Sequence, residues 1–105
     1  MDKEIKKKLA SNWFKLLQNV ICNNIEELEK NKIKFKSKIW SRSKIKDEGG
    51  GEFKVLKNGK IFEKVGVNFS EVYGKFPKEM KGKIPGTSKK LNFWAAGISV
   101  VMHMK

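Results

Sequence analysis

The chain has 105 residues, 39% hydrophobic and 33% charged, enough apolar material for one domain with one modest core. With 24 Lys and Arg against 11 Asp and Glu, the net charge is +13, which favours anionic partners. No apolar run reaches the roughly 18 residues of a membrane span, and the opening MDKEIKKKLASNW lacks the apolar core of a signal peptide.

Arg42 is the only arginine among these cations. Lysine is a point charge without the bidentate fork that suits phosphate and base recognition, and the lysines run along the whole chain. Nucleic acid is therefore not the expected partner, and a solvated Lys-rich surface is the plain alternative to an anion-binding one. Cys22 is the only cysteine. It reads as a small buried side chain, without an intrachain disulfide, in a reducing and hence cytoplasmic setting.

In chain order, residues 3 to 30 read as one amphipathic helix. Leu9, Trp13, Leu16, Leu17, Val20, Ile21, Ile25 and Leu28 recur at spacings of three and four as one apolar stripe. A cap at Ser11 or Asn12 would give a shorter helix, and Asn31 is a reasonable stop. Residues 32 to 43, KIKFKSKIWSRS, alternate. Ile33, Phe35 and Ile39 point one way, and Lys32, Lys34, Lys36 and Lys38, then Trp40 and Arg42, point the other. This is a strand with a cationic face that either protects a sheet edge or meets an anionic ligand. KIKDEGGG, residues 44 to 51, reads as a loop.

Residues 52 to 73 read as a hairpin around Asn58-Gly59, a pair suited to a two-residue type I′ turn. Its second strand places Ile61, Val65, Val67, Phe69 and Tyr73 on an apolar face. Phe62, Lys64, Gly66, Asn68, Ser70 and Val72 fall on a mixed, mostly polar one. Residues 74 to 90 hold both prolines and three glycines, which is loop composition, with a short helical turn near Lys78 to Lys81. LNFWAAGISVVMH, residues 91 to 103, is nearly continuously apolar and reads as a central strand covered on both faces. The expected fold class is α+β: one long N-terminal helix packed on an antiparallel sheet of about four strands, in a single domain over 1–105.

Internal chemistry is thin. His103 is the only histidine, so no complete His/Cys metal site exists within the chain. Glu63 and Lys64 point to opposite sides of their strand and are no acid/base pair. Ser99 and His103 are four residues apart on one strand face, about 13 Å at roughly 3.3 Å per residue. That is too far for a Ser–His pair, but suited to two parts of one large ligand. Gly97 leaves room on that face. The alternative is small residues filling a tight sheet contact. Asn68 and Ser70 either hold a ligand carboxylate or pair with neighbouring strands. Trp13, Trp40 and Trp94 read as packing residues.

Five segments together resemble the aerobic, oxygen-dependent coproporphyrinogen oxidases of haem synthesis. NWFKLLQNVIC (Asn12 to Cys22) is similar to the family's WFxxLQxxIC. Trp40 and Arg42 resemble its WxR, and Gly49 to Gly51 with Val55-Leu56 its GGGGxxxVL. FEKVGVNFSEVYG (Phe62 to Gly74) resembles FEKAGVNxSxVxG, and AAGISVVMH (Ala95 to His103) resembles MGVSxVxHP.

The resemblance implies a flat antiparallel sheet between helices, usually in a homodimer. It implies oxidative decarboxylation of two propionates of coproporphyrinogen III with molecular oxygen, giving protoporphyrinogen IX. By position, Ser99 matches a substrate-contacting serine and His103 a histidine described as a metal ligand, so a divalent metal is an implied cofactor. After His103 the chain has Met104-Lys105, where the family continues with HPxNPxxPTxHxNxRYF. The family's proton-donating histidine and NxR are therefore not in this sequence, the loop after Arg42 is longer, and one glycine of the run is missing. The expectation is an N-terminal portion of that fold with no catalytic residue of its own and no turnover in isolation. A small basic binding or self-associating module is the other reading.

Overall fold

The computed structural model describes residues 2–85 and 90–105. Its elements are α1 (Lys3–Leu28), β1 (Lys36–Ser41), β2 (Gly49–Lys57), β3 (Phe62–Lys75), a 3-10 turn (Lys78–Met80) and β4 (Asn92–Met104). This is the expected α+β arrangement, a helix on a four-stranded antiparallel sheet of order β1-β2-β3-β4. The short turn falls where it was expected, while residues 86–89 of the predicted 74–90 connection lie outside the described residues.

The long form of α1 is the one adopted. Asp2 caps it, its Oδ1 accepting from the Glu4 amide at 3.3 Å, and Ser11 is buried mid-helix. Lys30 and Asn31 leave the helix at φ +57° and +56°, and the Asn31 amide bonds the Glu26 carbonyl at 2.8 Å.

The helix does not bury the stripe expected of it. Its buried positions are Ser11, Gln18, Cys22 and Ile25, with Ile21 packed against the same core. Leu9, Trp13, Leu16, Val20 and Leu28 turn outward, 45–59% exposed. The eight apolar residues span roughly 180° of a helix at 100° per residue, more than one flat sheet covers, so one flank stays out. Gln18 helps decide which. It is 2% exposed, and its Nε2 donates to the Glu52 carbonyl at 2.8 Å and the Val67 carbonyl at 3.0 Å, tying the helix to β2 and β3. The core beneath α1 is Cys22, Ile25, Leu56, Phe62, Val65 and Val67, with Ile33, Phe35 and Ile98 against it.

Three further expectations are corrected. The apolar strand at the end of the chain is an edge, not the centre: β4 pairs only with β3 among the described residues. Val101 and Met104 on it are 57% and 64% exposed. Alternation reports which faces are apolar but says nothing of a lateral neighbour. Gly49 to Gly51 begin β2 rather than forming a loop.

The β2–β3 connection spans residues 58–61 instead of two residues, with only Asn58 at positive φ (+61°). The cause is Glu29, placed by the end of α1. Its carboxylate accepts the amides of Lys60 (2.8 Å), Ile61 (3.0 Å) and Phe62 (2.9 Å), opening the turn. A Cβ at Gly59 would collide with that carboxylate. The β3–β4 register then slips between Phe62 and Lys64. Phe62 (7% exposed) therefore takes the core place expected of Ile61 (37%).

Candidate functional site: the sheet face opposite the helix

Strand alternation divides the sheet cleanly. Leu56, Val65 and Val67 meet α1, and Lys15 stands over Phe69 on that same side. Every intervening residue therefore points away from the helix. The pairing aligns the opposite face in rows: Trp40 with Gly51, Gly51 with Ser70, Ser70 with Gly97; then Phe53 with Asn68 and Asn68 with Ser99; then Lys64 with His103. Ser99 and His103 share this face, as expected, and Ser99 stands directly across from Asn68. Directly opposed Cα atoms in such a ladder lie about 4.5–5.5 Å apart.

One side-chain bond organises the face. The Trp40 Nε1–H donates to Asn68 Oδ1 at 3.0 Å, crossing over β2. The crossing needs Gly51: a Cβ there would come within 2.9 Å of the indole Cζ2 and collide with the Phe69 carbonyl. The Asn68 oxygen is thereby bonded across the sheet to β1, two strands away, rather than to an adjacent strand. Trp40 is a half-buried packing residue, as is Trp94, whose Nε1 donates to Glu71 at 3.0 Å on the helix side. Trp13, at 59% exposed, is not packed as expected.

The floor beside this pair is low. Nothing lies within 4 Å of a Cβ built on Gly97, while Phe53 flanks Gly66. The charge on the face is mainly positive. Lys36, Lys38, Lys57 and Lys64 belong to its rows. At the far end Arg42 Nη1 donates to the Tyr73 carbonyl at 3.0 Å and sits 3.7 Å from the Glu48 carboxylate. Its guanidinium lies 5.0 Å from the Phe93 ring. Of the cationic row expected on the first strand, only Lys36 and Lys38 lie within β1. Lys34 is instead held by Asn31 and Glu26.

A second concavity, an open cleft of about 1190 Å³, lies on the helix side and is lined in part by Lys7, Ser11, Lys15, Glu71 and Trp94. Glu71 already accepts from Trp94, and the Ser11 Oγ is buried without a partner among the described residues. None of the residues singled out for substrate or metal lines it.

No three His, Cys, Asp or Glu side chains converge on a metal-sized site among the described residues, and His103 faces a lysine across the ladder. Among the described residues, therefore, no metal-ligand set includes His103. Cys22 is no substitute: burial pushes its thiol up to about 11. No helix among the described residues is long and apolar enough to cross a membrane.

Gln18 and Glu29 join helix to sheet; Gln18 is the Q of the segment similar to WFxxLQxxIC, although nothing local marks its bonds to the sheet, and Glu29 lies in no motif. The parity shared by Trp40 and Arg42, set beside the polar parity of Asn68, was the available signal for the cross-strand pair.

A family model described as coproporphyrinogen III oxidase matches residues 9–105. Over 103 aligned residues the chain is 40% identical to a protein named oxygen-dependent coproporphyrinogen-III oxidase from Rickettsia felis. It is 39% identical to proteins of that name from Rickettsia bellii and Rickettsia akari. Each alignment covers 94% of this chain and 37% of the relative, so the chain spans little more than a third of the length of the curated relatives it matches.

Proposed function

The chain belongs to the coproporphyrinogen III oxidase family, and from that premise we propose that its helix-free sheet face carries substrate for the oxygen-dependent oxidation of coproporphyrinogen III. The observation that supports this most directly is the opposed pair Asn68 and Ser99 beside Gly97 of the adjoining row, with lysines on the same face. Small side chains leave a flat floor for a broad macrocycle, and hydroxyl, amide and ammonium groups suit its carboxylates. In this reading Ser99 contacts substrate, molecular oxygen is the co-substrate, and residues 1–105 act as one domain. No general acid or base for the reaction is assigned to this chain, whose single histidine is His103.

The test uses the 105-residue protein. Titrated with coproporphyrin III, the stable oxidised relative of the substrate, it is expected to quench porphyrin fluorescence saturably, and Ser99→Ala to weaken that binding. Incubated with coproporphyrinogen III and oxygen, it is expected to give no protoporphyrin fluorescence above a blank. Absence of binding overturns the substrate reading, and turnover overturns the assignment of no catalytic group.

The outward stripe of α1 supports the finer proposal of a homodimer: Leu9, Trp13, Leu16 and Val20 are 45–59% exposed, and such a stripe favours burial against a second helix. Sedimentation velocity giving a monomer at high concentration would remove it. The buried thiol of Cys22 suits a reducing compartment, and a cytoplasmic location is the one proposed.

A further inference from the structure

We propose that Asn68 is a carboxylate-binding residue, turned toward the ligand by Trp40, and that it acts with Ser99 as a two-donor seat for one propionate of the substrate. This rests on the substrate-face reading above and adds to it the residues that select a free carboxylate.

An indole N–H donates and never accepts, so the 3.0 Å contact to Trp40 Nε1 fixes the Asn68 oxygen. The amide nitrogen must then lie on the other side of the group. No side chain or backbone group among the described residues bonds that nitrogen or the Ser99 hydroxyl. Asn68 and Ser99 are directly opposed in the ladder, so two hydrogen-bond donors stand side by side on an open face. That spacing suits the two oxygens of one carboxylate. Lys64, in the rung beyond Gly66 and Val101, adds positive charge without crowding the seat. Gly97, on Ser99's strand, has nothing within 4 Å of its Cβ direction, which leaves an approach for the rest of the ligand. A neutral seat flanked by a cation discriminates an ionised carboxylate from its ester. An ester lacks the charge that strengthens both hydrogen bonds.

Asn68→Asp is the decisive variant. It keeps an oxygen for Trp40 and thus the fold, but replaces the free amide donor with a carboxylate oxygen that repels the ligand. Coproporphyrin III and its tetramethyl ester are titrated against the unsubstituted chain, Asn68→Asp, Asn68→Ala, Trp40→Phe and Ser99→Ala, with near-ultraviolet circular dichroism confirming each fold. For the free acid, Kd is expected to rise at least tenfold in Asn68→Asp and about tenfold in Asn68→Ala. A smaller rise is expected in Trp40→Phe, which frees the amide to turn. Trp40→Phe added to Asn68→Ala should cost nothing more, since a positioning residue has no effect once its target is gone. The ester should show no such differences.

If Asn68→Asp and Asn68→Ala bind the free acid like the unsubstituted chain while Ser99→Ala is weakened, this inference is overturned and the substrate-face reading stands. If the unsubstituted chain does not bind coproporphyrin III, both are overturned.

Discussion

The indole N–H of Trp40 spans β2 to reach the Asn68 side-chain oxygen 3.0 Å away, over the one strand position where Gly51 presents no side chain. Three segments separated in sequence thereby become one surface: the WxR strand, the glycine run and the FEKVGVN strand. Gly51, within the glycine run that begins β2, is in this light clearance for an aromatic ring as much as freedom of backbone.

Gly51→Ala is expected to destabilise the chain by about 1–3 kcal/mol, because the new methyl must displace both the indole and the Phe69 carbonyl. Trp40→Phe, which keeps the ring and loses the bond, should cost about 0.5–1.5 kcal/mol. Urea unfolding followed by circular dichroism measures both, and equal losses would mean that Gly51 is not there for clearance.

Gln18→Leu should lower stability by about 1–3 kcal/mol, although it adds apolar volume to a buried position. Its amide bonds two sheet carbonyls, and leucine bonds neither. A neutral or stabilising result in the same unfolding experiment would remove Gln18 as the tie between helix and sheet.

Glu29 governs the acid limb of stability. The amides of Phe62, and then of Lys60 and Ile61, hold its carboxyl below the ordinary carboxylate range. A pKa lowered on folding contributes stability that is fully present above the unfolded value, about 4.3, and is lost as pH falls through the folded value. Thermal midpoints should therefore decline below about pH 4.3. Glu29→Gln should lower the midpoint at neutral pH, since its NH₂ opposes amide donors, and flatten the acid decline.

Cys22 has the opposite sign. Burial pushes its thiol up to about 11, so the unfolded chain releases this proton first as pH rises. Its contribution is present below the ordinary thiol value of about 8.5 and is lost on raising pH toward 11. In native protein at pH 8 the thiol should resist iodoacetamide and react on addition of urea. Rapid native alkylation would contradict its burial.

Leu56 of β2, fully buried in the core beneath α1, and Trp13 on the outer flank of α1, 59% exposed, mark the two sides of the helix. Leu56→Ala should cost about 2–5 kcal/mol. Trp13→Ala should stay within about 0.5 kcal/mol in dilute solution, while reducing any self-association seen by sedimentation. A large loss from Trp13→Ala in the monomer would place the expected stripe back in the core.

Periodicity and turn chemistry in the chain determine its elements. The helix from Lys3, the lysine-bearing edge strand, the alternation of Val65, Val67 and Phe69, and the common face of Ser99 and His103 are all local properties, written at periods of 3.6 and 2. Tertiary structure alone decided which half of an over-wide apolar arc α1 would bury, because that depends on the flatness of the sheet and on Gln18 finding two carbonyls. It also decided the four-residue turn and the register slip that exchanges Ile61 for Phe62. Both follow from a carboxylate 31 to 33 positions earlier in the chain. The place of β4 at the edge and the reach of Trp40 to Asn68 are likewise long-range. A lateral neighbour and a diagonal cross-strand bond leave no trace in the spacing of residues along one strand.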